Sequence, residues 1–549
     1  MIDLTFLSSN SKKLANFRHL ARGQGVRVLS FHERTFHASY EEPREDDRST
    51  LLDKSYDSAL TQWVERAGLS DEEFFFFEDT SLSVNALSGV NEYPGVNVKY
   101  WMQSTSFSEL DAQLKDKGND RSVSVRSDIV LHIPPSIRKF LNVDSRYVQF
   151  TGVSAGNVAE VEFDISPSLI RPWQDSSSFN KWFVPSGELV PFSLLDAVKA
   201  AEHDFRGRAF SQLIAYIKSL GIAVFASEVK AEQLSLDAFP KPPILVICGP
   251  TCSGKTTAAD HLVDAHGYMH FEASDFMRMA FYEMHGRRAG PEISEFARQV
   301  LAEEPWTVPE RISEHLSKFS GVPIVVTGFR SPLELAHFKS ACGPDAKIQL
   351  VYIDADVEAR YERAVARGRH DAPESFNAFR ERSELQMLMG LREIEDRGDM
   401  TNFSNCGSKE DLYIFCDRFV ERAPLNNFAP LIDTAKFGSL ELAAIEVLGR
   451  DLERPPATTT EIAALINAEV RGREGTAKDN VSRYFNQRVS PFYMVSDRDD
   501  AQNSEALHYT ITQTGRAMWK RIKNAPRRAI VRQRVKDNFQ MELFPSMDD

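Results

Sequence analysis

The stretch GPTCSGKT occupies residues 249–256 and directly follows the apolar run ILVIC at 244–248. TTAADHLVDAHG, at 256–267, has the composition and apolar spacing of a helix. A buried strand, a glycine-rich turn and a helix in this order are the context that a phosphate-binding loop requires. The sequence therefore predicts a loop that binds a nucleoside triphosphate, with ATP and Mg²⁺ as the expected cofactors.

The residues of this loop have separate expected tasks. Gly249 and Gly254 let the backbone direct its N–H groups inward around phosphates. Lys255 supplies a catalytic cation to the outer phosphates, and Thr256 supplies a hydroxyl to magnesium. The predicted cofactor-binding residues of the loop are Gly249, Ser253, Gly254, Lys255, Thr256 and Thr257.

Around the loop, the block from 243 to 422 alternates β-rich runs with helical stretches. The runs are ILVICG, IVVTG and IQLVYIDA. This alternation predicts a three-layer α/β domain, in which helices cover both faces of a parallel sheet. A linker with prolines at 240, 242 and 243 precedes it and marks a domain boundary.

Three segments of this block carry charged residues after predicted strands: FEASDFMR (271–278), VVTGFRSPLEL (325–335) and VYIDADVEARYERAVARGRHD (351–371). Phosphoryl transfer needs cations around the transferred group, and arginines supply them. The block resembles the P-loop nucleoside and nucleotide kinases, near dephospho-coenzyme A kinase and the nucleoside monophosphate kinases. A solvated helix face is the alternative for each single arginine.

This resemblance implies roles for six residues. Asp275, Arg278 and Arg330 are expected to face the phosphoryl acceptor, with Arg330 taking part in catalysis. The expected lid arginines, of which the first two also bind the cofactor, are Arg363, Arg367 and Arg369.

The sequence of this block offers one candidate, besides Thr256, to act on magnesium. Asp354 stands at a predicted strand end and is expected to act on the metal through an intervening group. The strand that ends in Thr327-Gly328 lacks an acidic residue there.

The N-terminal block carries a second set of phosphate-directed motifs. LSSNSKK (7–13) follows the first predicted strand and opens a helix, so Ser8, Asn10 and Lys13 stand where a helix N-terminus holds phosphate. Glu41-Glu42 precede Lys54, and the run FFFFEDTSLSVNAL places Glu78 and Asp79 at an expected strand end. PGVNVKYW (94–101) closes the set.

The order of these motifs resembles the inosine triphosphate pyrophosphatase family, which hydrolyses non-canonical purine nucleoside triphosphates to monophosphate and pyrophosphate. SSNSKK, the Glu42–Lys54 spacing, EDTSL and PGVNVKYW match in sequence, and FNKWFVPSG (179–187) and FRGRAF (205–210) echo the base-side region. Three features depart from the family: Asn180 replaces an aspartate, Asp204-Phe205-Arg206 replaces Ser-His-Arg, and Lys199 falls one residue off register. The resemblance implies an α/β pyrophosphatase fold over 1–235.

The expected chemistry follows from charge. A triphosphate repels an attacking oxygen until its own charge is neutralised, and Lys13 and Lys54 contribute to that. Glu42, Glu78 and Asp79 are the predicted magnesium ligands, and Asp79 is the best candidate to orient or deprotonate the attacking water. An ordinary charged surface is the alternative for Glu42 and Lys54.

The C-terminal block, 430–525, predicts three helices and a two-strand signal. The helices are SLELAAIEVLGRDL, TTTEIAALIN with Thr459 or Thr460 as N-cap, and TAKDNVSRYFNQRV. FYMVSD and LHYTITQTG follow as strands and RAMWKRI as a closing helix, which is the plan of a winged helix-turn-helix. Its third helix would present Lys478, Arg483 and Arg488 to DNA, or the module serves dimerisation or packing within the chain.

Bulk composition limits the remaining classes. The 549 residues imply about three or four domains, and a composition with 42% hydrophobic residues indicates globular ones. The net charge of −14 argues against general nucleic-acid coating, although 526–549 forms a basic tail that continues from Arg516. No apolar run reaches the roughly 20 residues of a membrane span, and five sparse cysteines fit the cytoplasm.

The sequence therefore predicts a bifunctional enzyme of nucleotide metabolism. It would hydrolyse non-canonical purine nucleoside triphosphates in the first domain and phosphorylate a nucleotide-like acceptor with ATP in the second. Two alternatives stay open: a nucleotide-responsive DNA-binding regulator, and a P-loop that acts as a simple ATPase switch. The family resemblance also suggests a homodimer through the first domain.

Overall fold

The computed structural model describes residues 2–35, 43–166, 168–220, 243–287, 292–319, 321–367, 375–420, 437–452, 454–470, 472–473, 475–496 and 506–524. The predicted domain limits at 235, 422, 430 and 525 and the predicted basic tail 526–549 lie outside these residues. The chain divides into two compact units, Met1–Ser235 with Glu283–His285, and Leu236–Tyr282 with Gly286–Asp549. Within the described ranges, none of the helices has both the length and the apolar character that crossing a bilayer requires.

In the described part of the first unit, seven strands form one mixed sheet in the order β2-β1-β3-β5-β6-β7, with β4 beside β3. The strands are β1 Ile2–Phe6, β2 Val26–Ser30, β3 Phe75–Val84, β4 Pro94–Gly95, β5 Ser122–His132, β6 Tyr147–Val158 and β7 Phe183–Pro185. The helices are α1 Ser11–Ala21, α2 Phe31–Arg34, α3 Arg48–Thr61, α4 Val98–Ser104, α5 Phe107–Asp116, α6 Pro135–Leu141, α7 Ala197–His203 and α8 Phe205–Ser219.

The sequence pattern explains how α8 covers this sheet. Ala209, Leu213 and Ile217 recur every fourth residue and are buried, so α8 has one apolar face. That face packs in one core with Leu4 of β1 and Phe76 of β3. The start of α8 is thereby fixed beside the middle of β3.

Strand β3 is longer than the sequence predicts. Glu78 and Asp79 were expected at its end, but β3 continues to Val84 because β5 pairs with it in antiparallel register as far as Val123. The parallel pairing of β3 with β1 stops at Phe76. The two carboxylates therefore lie just beyond the carboxyl end of β1 and inside β3.

The second unit begins with a five-stranded parallel sheet in the order β12-β11-β8-β10-β9, so the parallel sheet predicted for this block is confirmed. Its strands are β8 Ile244–Cys248, β9 Met269–Glu272, β10 Ile324–Thr327, β11 Ile348–Asp354 and β12 Thr401–Ser404. The helices are α9 Lys255–His266, α10 Ala273–His285, α11 Ile293–Glu303, α12 Thr307–Leu316, α13 Pro332–Cys342, α14 Val357–Arg367, α15 Phe376–Gln386, α16 Arg392–Glu395 and α17 Lys409–Asp417. Parallel strands gather their carboxyl ends at one edge, where Glu272, Thr327 and Asp354 lie.

The described C-terminal residues contain four helices and a small antiparallel sheet in the order β13-β15-β14. The elements are α18 Ser439–Arg450, β13 Ala457–Thr458, α19 Thr459–Glu469, α20 Lys478–Gln487, β14 Tyr493–Val495, β15 His508–Ile511 and α21 Gln513–Asn524. The N-cap of α19 is Thr458 rather than Thr459 or Thr460, because Glu461 three residues later completes a capping box with it. We call residues 437–524 of this part the C-terminal module.

Candidate functional site

The start of α1 contributes several of the predicted residues of the N-terminal site. The side-chain oxygen of Asn10 accepts hydrogen bonds from the N–H groups of Lys12 (3.0 Å) and Lys13 (3.1 Å), so Asn10 caps the helix. Its amide NH₂ is then the group that it can offer to phosphate. Ser8, also predicted here, is buried and accepts a hydrogen bond from the N–H of Asn10 at 3.1 Å.

Lys13 reaches a buried carboxylate on β3. Its Nζ lies 2.9 Å from Oε2 of Glu78, whose side chain has no exposed surface. Nε of Arg206, from the start of α8, lies 3.3 Å from Oε1 of the same carboxylate. Burial alone would raise the pKa of Glu78, but Lys13 and Arg206 lower it to about 2. Glu78 is therefore ionised at neutral pH and holds two cations in place.

Oε1 of Glu78 also has two hydroxyl partners. Thr80 and Ser127 donate hydrogen bonds to its Oε1 at 2.7 Å and 2.8 Å. Direct magnesium ligation by Glu78 stays a prediction, and it would require Lys13 to leave the carboxylate. Asp79, the next residue on β3, is half-buried and faces the same cavity as Lys13.

A cavity of about 580 Å³ surrounds these groups. Its lining combines the charges of the network with aromatic and apolar side chains. The lining residues that matter most here are Lys13, Asp79, Trp173, Phe179, Phe205 and Arg206. Cations beside carboxylates fit a metal-bound polyphosphate, and apolar rings fit a flat base.

Sequence reasoning missed a second ion pair at this cavity. Nζ of Lys12 pairs with Asp175, which is 5% exposed, and lies 3.0 Å from Oγ of Ser177. Burial would raise the pKa of Asp175, whereas hydrogen bonds from Lys12, Ser177 and Ser178 hold it below its ordinary value. The pair joins residues 163 positions apart, so no local pattern in the sequence could have indicated it.

Arg206 was also absent from the predicted site residues. The signal for it was present, since Arg206 occupies the last position of the segment that stands for Ser-His-Arg. Asp204, at the first position of that segment, caps α8 by accepting hydrogen bonds from the N–H groups of Arg206 (2.9 Å) and Gly207 (3.1 Å). Asn180, another departure from the family, is buried and donates to the carbonyl of Trp173 at 3.2 Å.

The structure does not bring every predicted residue of this site together. Lys54 lies on α3 with its side chain 56% exposed, and its ammonium pairs with Glu45, a residue that lines the cavity. Lys54 itself is not part of the lining. The predicted ligand Glu42 and its neighbour Glu41 lie outside the described residues.

In the predicted phosphate-binding loop of the second unit, the backbone conformation requires glycine at two positions. Gly249 and Gly254 have φ angles of 138° and 112°. A Cβ at Gly249 would lie 2.0 Å from the carbonyl of Ile353, and one at Gly254 would lie 2.3 Å from Nδ2 of Asn405. Both positions therefore demand glycine. Thr256 and Thr257 lie half-buried in the first turn of α9.

The side chains of the loop fit a polyanion. Oγ of Ser253 is buried and has no hydrogen-bond partner within the described structure. Nζ of Lys255 donates to the loop's own carbonyls at Gly249 (2.7 Å) and Pro250 (2.6 Å). Burial lowers the pKa of Lys255 to about 8, with Glu272 opposing the shift and Arg330 adding to it. A phosphate placed between Lys255 and Arg330 would raise the pKa of Lys255 again.

The end of β10 has no acidic residue of its own, but an acidic residue of the neighbouring strand β9 lies beside it. Thr327 of β10 lies in register with Glu272 of β9, and its hydroxyl donates to Oε2 of that carboxylate. Glu272 is also the carboxylate that most strongly supports the charge of Lys255. Asp354, at the end of β11, is half-buried, and its carbonyl accepts from the N–H of Asn405 at 2.7 Å. Glu272 is thus a further candidate to act on magnesium.

The predicted lid arginines are arranged unequally. Arg363 donates to the carbonyl of Asn405 at 2.7 Å and lies 3.4 Å from that of Cys252, so it braces the loop backbone. Arg367 is exposed at the last position of α14. Arg369 lies outside the described residues. The cofactor-binding role of Arg363 and Arg367 stays a prediction.

The predicted acceptor-side residues lie on α10 and after β10. Arg278 and Arg330 are half-buried, and the N–H of Arg330 donates to Glu334 at 2.7 Å. Asp275 is 8% exposed, and its Oδ2 accepts from the N–H of Thr514 at 2.9 Å. Burial, followed by the charge of Glu272, raises the pKa of Asp275 to about 7. A residue of the C-terminal module therefore occupies one oxygen of this carboxylate.

Comparison with known proteins assigns a class to each of the two domains. Residues 4–216 match the Ham1 family, and residues 244–388 match a family described as AAA domain. The chain thus carries a Ham1-like domain, followed by a P-loop domain that is similar to the AAA domain family. Both classes belong to nucleotide metabolism.

Curated relatives share part of the chain. A UPF0200 protein of Pyrobaculum aerophilum is 27% identical over 169 residues, which are 31% of this chain and 91% of that protein. UPF0200 proteins of Methanopyrus kandleri and Thermococcus onnurineus are both 33% identical, over 17% and 18% of this chain. In those two comparisons the chain spans about half of the relative, 46% and 53%.

Solved structures match parts of the chain at low identity. The Staphylococcus aureus Ham1 protein is 16% identical and covers 40% of this chain and 98% of its own, with a TM-score of 0.29. A gluconokinase from Sinorhizobium meliloti is 14% identical and covers 33% of this chain and 93% of its own, with a TM-score of 0.24.

Proposed function

We propose that the chain is a bifunctional enzyme of nucleotide metabolism. The first domain hydrolyses non-canonical purine nucleoside triphosphates to monophosphate and pyrophosphate. The second domain transfers a phosphoryl group from ATP to a nucleotide-like acceptor. The observation that carries the proposal is that Lys13, Asp79 and Arg206 line one cavity in a domain of the Ham1 type.

In the hydrolase site, Lys13 and Arg206 provide the cations that a triphosphate needs. Glu78 holds both, so their positions are fixed before substrate arrives. Asp79 is the carboxylate proposed to orient or deprotonate the attacking water, because Glu78 is already engaged. Magnesium carried by the triphosphate neutralises further phosphate charge, and carboxylate oxygen is a ligand that it prefers.

The base side of the cavity supports a purine-sized substrate. Trp173, Phe179 and Phe205 are buried and contribute to its lining. Asn180 and Asp204 are committed to the carbonyl of Trp173 and to the cap of α8, so neither is free to read the base in this arrangement. We therefore propose an altered base preference with retained hydrolysis.

In the kinase site, the loop N–H groups and Lys255 hold the triphosphate of ATP. The charge of Arg330 lowers the pKa of Lys255. This interaction supports a position for Arg330 near the transferred phosphoryl group. Thr256 offers the hydroxyl, and Glu272 a carboxylate, toward magnesium. Asp275 and Arg278 are the proposed acceptor-side groups.

Hydrolysis and phosphorylation of the same nucleotide would form a futile cycle. We therefore propose that the two domains prefer different bases.

The C-terminal module is proposed to be a winged helix that packs within the chain, since Thr514 bonds to Asp275 and Lys520 pairs with Asp264.

A substrate screen of the full chain with product identification tests the proposal. Pyrophosphate release that is lost in Asp79→Asn but kept in Lys255→Ala, and ADP formation with the opposite dependence, is the expected pattern. Pyrophosphate release that survives Asp79→Asn would reject the hydrolase assignment. ADP formed at the same rate without an acceptor would reject the kinase and indicate a simple ATPase. Equal base profiles for the two activities would reject the difference in base preference.

A further inference from the structure

Among the described residues, one cluster of metal-ligating side chains lies outside both sites. His261 and His266 belong to α9, the helix that begins at Lys255, and Asp417 is the last residue of α17. The Nε2 atoms of both histidines lie 2.7 Å from the same oxygen, Oδ1 of Asp417. The three ligand atoms lie within 4.8 Å of one another.

We propose that His261, His266 and Asp417 bind a divalent transition-metal ion of the zinc class. Two imidazole nitrogens and one carboxylate oxygen are ligands that zinc takes readily, whereas magnesium and calcium prefer oxygen alone. Three protein ligands leave a fourth position for water. Asp417, whose side chain is 47% exposed, leaves that position open to solvent.

The two distances to Asp417 need only a small change to accept the ion. Zinc bonds of about 2.0–2.1 Å to nitrogen and oxygen in a tetrahedral site separate neighbouring ligand atoms by roughly 3.3 Å. The present distances of 2.7 Å from each nitrogen to Oδ1 are therefore shorter by about half an ångström, which a rotation of the Asp417 carboxylate can supply. Both histidines would move the Nε2 proton to Nδ1, so each ring stays neutral.

The surroundings hold the rings in this orientation. The ring of His261 stacks on Tyr413 of α17, with centroids 4.2 Å apart and planes 8° from parallel. The His266 ring meets that of His261 edge-on at 5.5 Å. A metal here would join α9 to α17, so it would stabilise the P-loop domain without touching the loop.

The test uses the full chain without an affinity tag, stripped with a chelator and dialysed against ZnCl₂ in excess Mg²⁺. We expect one zinc per chain by elemental analysis. Asp417→Asn should weaken zinc binding at least about tenfold, and His261→Ala with His266→Ala should abolish it. His337→Ala, at a half-buried histidine of α13, is the matched control and should keep it.

A second readout separates ligation from a structural hydrogen bond. Zinc should raise the melting temperature of the parent chain and of His337→Ala, but not that of Asp417→Asn. A parent chain that retains no zinc, or an Asp417→Asn chain and a double histidine variant that retain as much as the parent, would overturn the proposal. Because Asp417 is exposed, its variant keeps the test valid even if the histidine variants fail to fold.

Discussion

The backbone N–H of Thr514 lies 2.9 Å from Oδ2 of Asp275, so the first turn of α21 is bonded to the predicted acceptor-side carboxylate. Oγ1 of Thr514 in turn accepts from the N–H of Glu272 at 3.0 Å. Thr514 itself is fully buried. One residue of the C-terminal module thereby binds the side chain of Asp275 and the backbone of Glu272.

Replacing Thr514 tests this coupling. Thr514→Val keeps the N–H that donates to Asp275 but removes the acceptor for the N–H of Glu272. An unsatisfied buried donor costs about 1–3 kcal/mol, so the melting temperature should fall and proteolysis of the C-terminal module should accelerate. Thr514→Ser retains the hydroxyl and should lose about 1 kcal/mol or less. A loss of stability in Thr514→Ser with none in Thr514→Val would mean that the methyl group, and not the hydrogen bond, stabilises this contact.

Asp275 should make stability depend on pH. Its pKa of about 7 exceeds the ordinary value of 3.8. Between these values the folded chain holds a proton that the unfolded chain releases, so the free energy of unfolding falls as pH rises from about 4 to about 7. Above about pH 7 this cost stays constant.

The variant Asp275→Asn removes that proton exchange. Its melting temperature relative to the parent should therefore rise by a few degrees between about pH 5 and about pH 8. Differential scanning fluorimetry across this range measures the effect, with Asp345→Asn on the surface as the control. A difference that stays flat with pH would show that Asp275 is ionised throughout.

The two lysines predicted for the hydrolase site should differ in importance. Lys13 lines the cavity and forms an ion pair with Glu78, whereas Lys54 lies outside the lining and forms an ion pair with Glu45. Lys13→Ala should lower kcat for pyrophosphate release by about 100-fold or more, because it removes a preorganised cation. Lys54→Ala should cost no more than about tenfold. A larger loss for Lys54→Ala would mean that α3 moves toward the cavity when substrate binds.

Arg206 should contribute to both activity and stability. Arg206→Ala leaves the buried charge of Glu78 with Lys13 as its remaining ionic partner among the described residues, and it removes a hydrogen bond to Thr80 of 3.0 Å. We expect a loss in kcat of about 100-fold and a lower melting temperature. Lys218→Ala, at an exposed position of the same helix, should change neither. Full activity in Arg206→Ala would place the second phosphate-neutralising cation elsewhere.

The loop glycines provide a steric test of ATP binding. A Cβ at Gly249 would come within 2.0 Å of the carbonyl of Ile353, at a φ of 138°. Gly249→Ala should therefore abolish ATP binding measured by fluorescent nucleotide titration. Gly267→Ala is the control, because its φ of 66° is also left-handed but no atom lies within 4 Å of the added Cβ. Binding retained in Gly249→Ala would mean that the loop adopts another backbone when occupied.

Local sequence was sufficient where function depends on one continuous segment. The loop at 249–256 and the helix start at Asn10 could be predicted because backbone geometry and capping depend on neighbouring residues. The parallel sheet followed from the alternation of strands and helices. The position of Glu78 and Asp79 within β3 could not be predicted from local sequence, because the length of that strand is decided by its pairing with β5.

The sequence by itself predicted two triphosphate-directed motifs and determined which residue types stand in them. Only the tertiary structure decided which polar groups meet: Lys13 and Arg206 at Glu78, Lys12 at Asp175, and Thr514 at Asp275. These contacts join residues that are between 65 and 239 positions apart. Because a buried ion pair depends on which elements the core brings together, its partners are set by packing and cannot be inferred from local spacing.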